Sequence, residues 1–263
     1  QGFGIANMAD SLIAIKKLVF EEKKISMAEF GQALKDNYGK GIGANRAQEI
    51  TLEVVKQLTA AGQTIDEAQI AKIFITALEG GVSEDAKRQY DTLLDLIDQI
   101  PKFGNDIEEI DLFAREIAYT YTKPMEQYRN PRGGQFQAGL YPVSANVPLG
   151  AQTGATPDGR LAFTPVADGV SPSSGKDTHG PTAAANSVSK LDHFIASNGT
   201  LFNQKFHPTA LSGQRGLENF VALIQAYFEQ KGSHVQFNVV SREVLVDAQK
   251  NPESYKGLVV RVA

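Results

Sequence analysis

Few side chains in this sequence have the chemistry that catalysis usually needs. The 263 residues include no cysteine, which excludes disulfides, thiolate metal sites and a cysteine nucleophile within the chain. Four histidines are present, separated by 14, 14 and 27 residues: His179, His193, His207 and His234. These separations are not those of metal ligands on one helix or hairpin, so the sequence predicts no metal site. A lone histidine near a strand end is more often packed or hydrogen-bonded, and none is assigned a catalytic role.

The charge and hydropathy patterns disfavour two classes of partner. The net charge is −4, and lysine and arginine are scattered along the chain. This distribution disfavours binding to nucleic acid or to an anionic membrane surface. No apolar run approaches the roughly 20 residues that span a bilayer, and the first residues do not have the pattern of a secretory signal peptide. We therefore expect a cytoplasmic protein.

The first part of the chain carries the pattern of amphipathic helices. Apolar residues recur at three- and four-residue steps from about Ile5 to Ile100. Ser26 and Glu29 have the spacing of a capping box, and Ser83 precedes two acidic residues at a predicted helix start. After a break that contains proline and glycine, one more long helix is predicted. The sequence thus predicts a mostly helical segment over residues 1–124.

The composition changes from about residue 130 onward. Glycine, proline, serine, threonine and asparagine dominate there, and short apolar runs predict strands. The predicted order is strand 139–147, strand 199–206, helix 217–231, strand 234–240, helix 241–249 and a final strand near 258–262. Alternating strands and helices are typical of parallel pairing. The sequence therefore predicts an α/β fold, with residues 125–263 as its strand and loop segment.

Turn motifs are frequent in this second segment. Asp158 and Gly159 have the residue types of a tight turn, and Asp158 and Arg160 are expected to form a structural turn and an ion pair. Any one such motif indicates only a turn. Nine segments together, however, follow an order that resembles the C-terminal third of the glycyl radical enzymes, a family that includes pyruvate formate-lyase. They are Tyr141–Gly150, Thr153–Arg160, Asp168–Pro172, Gly180–Ala183, Asn186–Leu191, Ser197–Asn203, His234–Val239, Asp247–Pro252 and Leu258–Val262.

The last residues extend this resemblance. The apolar run 257–263 has no polar tail and is typical of a strand that enters a core. Arg261, Val262 and Ala263 resemble the start of the Arg-Val-x-Gly-Tyr signature, in which the glycine carries the radical. The resemblance implies that the radical glycine follows Ala263, and that the catalytic cysteine and its acid/base neighbour precede Gln1. We therefore expect no catalytic residue within the chain and no turnover by the chain alone.

The resemblance implies a fold and a set of partners. The fold is a ten-stranded α/β barrel built from two half-barrels, and this chain would be its C-terminal part. A cysteine and a glycine on two loops meet inside the barrel, which shelters the radical from oxygen and water. A radical S-adenosylmethionine activase installs the glycyl radical, and no bound cofactor is implied. The expected partners are a small-molecule substrate, the activase, the rest of the enzyme chain and a second copy in a homodimer.

The resemblance also assigns roles to particular residues. The residues lining the substrate pocket would be Ser144, Ala145, Asn146 and Val147. The residues supporting the glycine loop would be Asn198, Asn203 and Arg261. The four pocket residues are expected on a barrel strand, where alternation lets only half of them point inward. Packing inside the barrel is the alternative role of the four pocket residues, and ordinary turn stabilisation is that of Asn198 and Asn203.

The motifs favour the eliminating branch of the family over formate acetyltransferases. The expected reaction is removal of water from glycerol or another diol, in which a thiyl radical abstracts hydrogen and a carboxylate and a general acid assist departure of the neighbouring hydroxyl. Other eliminating members, namely hydroxyproline dehydratases and choline or sulfonate lyases, remain open, as does a formate acetyltransferase-like activity. Two alternatives belong to other classes: a non-catalytic scaffold or spare subunit, and an unrelated α/β binding module.

Overall fold

Helices dominate the first half of the chain in the computed structural model, which describes residues 1–41, 44–79 and 82–255. The helices, in chain order, are α1 Ile5–Ile15, α2 Met27–Lys35, α3 Ala44–Ala60, α4 Glu67–Glu79, α5 Glu84–Gln99, α6 Glu108–Met125, α7 Asn146–Gly150, α8 Pro181–Ser189, α9 Gly213–Glu229 and α10 Arg242–Lys250. A π-helical stretch, Lys16–Glu21, follows α1, and 3₁₀ turns occur at Asn37–Gly39, Pro208–Leu211 and Pro252–Tyr255. No helix in the described ranges has the length and apolar character that a membrane span requires.

The chain forms two units, each assembled from segments that are distant in the sequence. The first unit comprises Gln1–Asp10, Pro101–Val147 and the described part of Val166–Ala263, and the second comprises Ser11–Ile100 and Pro148–Pro165. The core of the first unit includes Phe103, Ile110, Leu140, Val188 and Phe202, and that of the second includes Leu18, Phe30, Tyr38, Leu93 and Ile97. The division of one barrel domain into residues 1–124 and 125–263 stays a prediction.

Both helix starts predicted from capping motifs are confirmed. The Ser26 hydroxyl accepts a hydrogen bond from the backbone N–H of Glu29 at 3.2 Å, and the Glu29 carboxylate accepts one from the N–H of Ser26 at 2.9 Å. The Ser83 hydroxyl accepts from the N–H of Ala86 at 3.2 Å. These side chains satisfy backbone donors that a helix leaves unpaired in its first turn.

Parallel pairing in the second half of the chain is also confirmed. Strand β1, Asn203–Phe206, pairs in parallel with β2, Gln236–Val239, and Asn203 stands opposite Gln236. The helix between them is α9, and its Phe220 ring lies 5.5 Å from Phe206 and 4.6 Å from Phe237. Aromatic packing thus fastens α9 to the strand pair. Both strands are shorter than predicted, at four residues each.

The strand predicted over residues 139–147 was wrong. Only Leu140 pairs there, through an isolated parallel bridge with Thr200. Pro142 has no N–H for a ladder, and its carbonyl accepts from the N–H of Ala145 at 3.0 Å, which closes a turn. Val143 in this turn has φ of +62°, outside the extended region, and the chain then enters α7.

The mixed helix and strand content of the described residues agrees with the predicted α/β class. The ten-stranded barrel stays a prediction. The final strand predicted near residues 258–262 lies outside the described residues.

Candidate functional site

The four residues predicted to line the substrate pocket lie on a turn and a short helix. Ser144 and Ala145 belong to the turn, and Asn146 and Val147 begin α7. Ser144 is exposed, whereas Asn146 is only 1% exposed. The carbonyl of Asn146 accepts from the N–H of Val166 at 3.2 Å. The Asn146 Oδ1 atom is buried and has no hydrogen-bond partner among the described residues.

Val143, directly before this segment, has a strained backbone. It is β-branched and has φ of +62°, where the left-handed conformation brings a branched side chain against its own carbonyl. Such a residue persists only where the surrounding contacts hold it, and strain of this kind concentrates at functional sites. The conformation of this turn, and with it the position of Ser144 to Val147, therefore depends on the contacts on both sides of it, among them the hydrogen bond between Asn146 and Val166.

On the N-terminal side, the contacts come from the turn at residues 196–201. The N–H of Asn198 donates to the carbonyl of Ala138 at 2.9 Å, the N–H of Leu140 to that of Gly199 at 2.9 Å, and the N–H of Leu201 to that of Leu140 at 3.2 Å. The Asn198 side chain adds a bond from Nδ2 to the Tyr141 hydroxyl at 3.0 Å. Two segments that are about 60 residues apart are thus tied together by four hydrogen bonds.

A second turn, Asp168–Pro172, is clamped to the start of β1. The N–H of Val170 donates to the carbonyl of Leu201 at 3.0 Å, and the N–H of Asn203 donates to the Ser171 hydroxyl at 3.0 Å. The Asn203 carboxamide also donates to the Asp168 carboxylate. Gly169 has φ of +57°, and a Cβ there would overlap the carbonyl oxygen of Leu201. Only glycine therefore allows this close approach.

Asn203 is one of the residues predicted to support the glycine loop, and one of its side-chain polar atoms is unpaired. The residue is 7% exposed, and its Oδ1 atom is buried without a hydrogen-bond partner among the described residues. An unpaired buried acceptor costs about 1–3 kcal/mol, so this position favours a donor from elsewhere in the protein.

His193 is held as a structural residue. Its Nε2 atom lies 2.9 Å from the carbonyl of Val188, which can only accept, so Nε2 carries the proton. Its Nδ1 atom then accepts from the hydroxyl of Thr200 at 3.0 Å or of Ser233 at 3.2 Å. Burial lowers the pKa of His193 below its usual value. Burial likewise lowers the pKa of His234.

The predicted structural turn at Asp158 and Arg160 is confirmed. The N–H of Gly159 donates to the carbonyl of Thr156 at 3.0 Å, and the Asp158 carboxylate accepts from the backbone N–H of Arg160 at 3.3 Å. The Arg160 guanidinium donates to the carbonyls of Leu161 at 3.1 Å and Thr164 at 2.6 Å. Burial lowers the pKa of Arg160, and the negative charge of Asp158 opposes that shift. Arg160 thus stabilises its own loop by hydrogen bonds to the loop's backbone carbonyls.

Comparison with known proteins places these turns in a family. Residues 166–263 match the family model described as "Glycine radical", and residues 1–150 match the one described as "Pyruvate formate lyase-like". The chain belongs to the glycyl radical enzyme family. The resemblance inferred from the nine ordered segments is thereby confirmed.

Relatives of this glycyl radical enzyme chain include several dehydratases. It is 39% identical to the probable dehydratase YbiW of Escherichia coli (strain K12) over 99% of this chain, and 36% identical to the trans-4-hydroxy-L-proline dehydratase of Clostridioides difficile over 100% of it. In both cases the match covers 27% of the relative. The chain thus spans about a quarter of the length of these relatives.

Two solved structures extend the comparison. A structure concerned with 1,2-propanediol dehydration in Roseburia inulinivorans is 62% identical, with a TM-score of 0.86, and the match covers 100% of this chain and 31% of that chain. The glycerol-bound form of the B12-independent glycerol dehydratase from Clostridium butyricum is 48% identical, with a TM-score of 0.77 over 100% of this chain and 27% of that one.

The predicted site residues of this family member do not form one cluster in the described structure. Asn198 contacts the segment before the pocket residues, and Asn203 contacts the Asp168–Pro172 turn. Arg261 lies outside the described residues. No group of three or more histidine, cysteine or acidic side chains suited to a metal ion occurs within the ranges that the structure covers.

Sequence reasoning missed two residues of this network. Tyr141 and Asp168 were included only as letters of ordered motifs, and neither was linked to its asparagine partner. The only signal in the sequence was that Asn198 and Asn203 flank a short apolar run. That position does not predict that Asn198 contacts Tyr141, 57 residues away, or that Asn203 contacts Asp168, 35 residues away.

Proposed function

We propose that this chain is the C-terminal part of a glycyl radical lyase whose full-length form removes water from a 1,2-diol or from glycerol. The observation that carries the proposal is the 62% identity, with a TM-score of 0.86 over the whole chain, to the structure concerned with 1,2-propanediol dehydration. The identity to the glycerol dehydratase structure, 48%, supports the same substrate class.

The glycyl radical, with its cysteine partner, supplies hydrogen abstraction in this family, and the resemblance implies that both residues lie outside the chain. Among the described residues, the orphaned Oδ1 of Asn203 fits the support of a neighbouring loop, because a backbone N–H would satisfy it. Asn203 is therefore proposed to support the glycine loop, and Arg261 is proposed to do so from its place in the sequence motif alone. The clamp between Asp168 and Asn203 would hold that support rigid.

The pocket residues Ser144, Ala145, Asn146 and Val147 are proposed to form part of the wall that orients the diol. The exposed Ser144 hydroxyl can donate to or accept from a substrate hydroxyl. The buried Asn146 Oδ1 can accept a hydrogen bond that no described residue offers. A wall of this kind fixes which carbon faces the reacting residues.

The proposed partners follow from membership of the glycyl radical enzyme family. They are a radical S-adenosylmethionine activase, the rest of the enzyme chain and a second copy in a homodimer. A cytoplasmic, anaerobic setting is proposed because oxygen destroys carbon radicals.

The full-length protein, activated anaerobically by its activase, tests the proposal directly. Propane-1,2-diol and glycerol should each give the corresponding aldehyde, measured by a coupled reductase assay, and omission of the activase should abolish product. Parallel assays with trans-4-hydroxy-L-proline, choline and isethionate distinguish the other eliminating activities. Turnover of one of these three without turnover of either diol would refute the diol proposal.

A hydroxyproline dehydratase is the second candidate. The solved hydroxyproline dehydratase from Clostridioides difficile, with trans-4-hydroxy-L-proline bound, is 34% identical with a TM-score of 0.76.

A non-catalytic scaffold would instead give no glycyl radical signal by electron paramagnetic resonance after activation.

A further inference from the structure

The Tyr141 side chain is fixed on two sides. A Cβ on Gly139 would lie 2.5 Å from a ring carbon of Tyr141, so the ring lies against the backbone of that glycine. The Tyr141 hydroxyl accepts from Asn198 Nδ2 at 3.0 Å. A ring that is held both against Gly139 and at its hydroxyl has little freedom to rotate.

Tyr141 stands three residues before the proposed pocket wall, and the intervening backbone does not fix the wall by itself. Val143 sits at φ of +62°, and two turn bonds follow, from Ala145 to Pro142 at 3.0 Å and from Val147 to Ser144 at 3.3 Å. These bonds are local and set the shape of the turn. Longer-range contacts must therefore orient the turn. After it, the carbonyl of Asn146 accepts from the N–H of Val166 at 3.2 Å, and before it lies the anchor at residues 138–141.

Asn198 adds to the anchor before the turn, beside three backbone hydrogen bonds, with a side chain that contributes little to folding. Asn198 is exposed in this structure, and hydrogen bonds between exposed groups exchange readily with water. Its backbone N–H keeps its bond to the carbonyl of Ala138 whatever the side chain is. A change confined to the Asn198 carboxamide should thus leave the fold intact and release only the Tyr141 hydroxyl.

We propose that Asn198 is a positioning residue for the substrate wall and acts through the Tyr141 hydroxyl, rather than through the glycine loop. This proposal rests on the proposed function, since it assumes that residues 144–147 face the substrate. It adds Tyr141 to the residues that determine how well the enzyme binds its substrate.

The test is a double-mutant cycle in the activated full-length enzyme. Asn198→Ala and Tyr141→Phe should each raise KM for propane-1,2-diol about three- to tenfold, the loss of about one hydrogen bond. The double variant should raise KM no further than either single one, because both changes break the same contact. The yield of glycyl radical per chain, measured by electron paramagnetic resonance, should stay at the wild-type level in all three.

Asn219→Ala is the matched control, since Asn219 is exposed on α9, and it should change neither KM nor radical yield. A lowered radical yield in Asn198→Ala with unchanged KM would overturn the proposal in favour of support of the glycine loop. Additive effects of the two changes, or wild-type KM values, would also overturn it. If the wild type converts a substrate other than a diol, the proposed function fails, and the same cycle on that substrate still decides the role of Asn198.

Discussion

The helices of residues 11–100 and the loops of residues 138–205 are held by contacts of different range. Ser26 and Ser83 cap their helices through partners three residues away. In the loops, by contrast, Asn198 bonds Tyr141 over 57 residues and Asn203 bonds Asp168 over 35. Helices can therefore be recognised from neighbouring residues, whereas these loops depend on which distant segments meet.

Buried asparagines show the same difference in energetic terms. Asn105 is 6% exposed and donates to the carbonyl of Lys176 at 2.7 Å, while its Oδ1 atom accepts from the N–H of His179 at 2.9 Å. Asn7 accepts from the N–H of Ala167 at 2.6 Å. Side chains thus satisfy loop backbone that has no regular partner, and each such bond is costly to leave unmade. We expect substitutions in the loops to have larger effects than those at helix caps.

The largest effect is expected at Gly169. Gly169→Ala in the full-length protein should lower the free energy of unfolding by about 3 kcal/mol or more, because the new Cβ overlaps the Leu201 carbonyl in a left-handed backbone. Chemical denaturation measures this change in the free energy of unfolding. Gly175→Ala is the matched control: its φ is +74° but nothing lies within 4 Å of the added Cβ, so about 1 kcal/mol is expected. Equal losses of unfolding free energy at Gly169 and Gly175 would show that the close approach of Gly169 to the Leu201 carbonyl does not contribute to stability.

Asn105→Ala should come next. It removes bonds to the carbonyls of Lys102 and Lys176 and to the N–H of His179, so a loss of about 3 kcal/mol is expected in thermal or denaturant unfolding. Asn219→Ala, on an exposed helix face, should stay within about 0.5 kcal/mol of the wild type. A loss below 1 kcal/mol for Asn105→Ala would contradict the view that buried side chains hold these loops.

A helix cap should matter less. Ser26→Ala should cost about 1 kcal/mol, since it removes one acceptor and one half of the capping box from α2. Ser174→Ala, at an exposed loop position, serves as its control and should be neutral. A cost at Ser26 as large as that at Asn105 would break the contrast between the two regions.

The smallest effect is a dependence on pH within the loop region. Burial lowers the pKa of His193, so the folded state binds fewer protons there than the unfolded state. The contribution of His193 is complete above the unfolded pKa of about 6.5 and is lost as pH falls toward the folded pKa. The free energy of unfolding should thus decline from pH 7.5 to pH 5.5, and His193→Gln should make that decline shallower.

Much of the fold follows from local sequence patterns. The capping motifs at Ser26 and Ser83, the parallel order of the strands around α9 and the turn at Asp158 are all confirmed. The strand predicted over residues 139–147 was wrong because that prediction rested on apolar residues and gave no weight to Pro142. Pro142 has no N–H for a strand ladder, and its carbonyl closes a turn, which outweighs the local strand preference. The roles of the site residues stay predictions, since motif order names residues without saying what they touch.

The sequence by itself determined where two helices begin, that the strands on either side of α9 run parallel and which family the chain resembles. Those features depend on hydrogen bonds and side-chain periodicities that repeat within a few residues. The tertiary structure alone decided that Gly169 lies against Leu201, that Asn203 holds Asp168 and that Asn198 holds Tyr141. Such contacts arise only when distant segments are brought together by burial of the core, so no local pattern contains them.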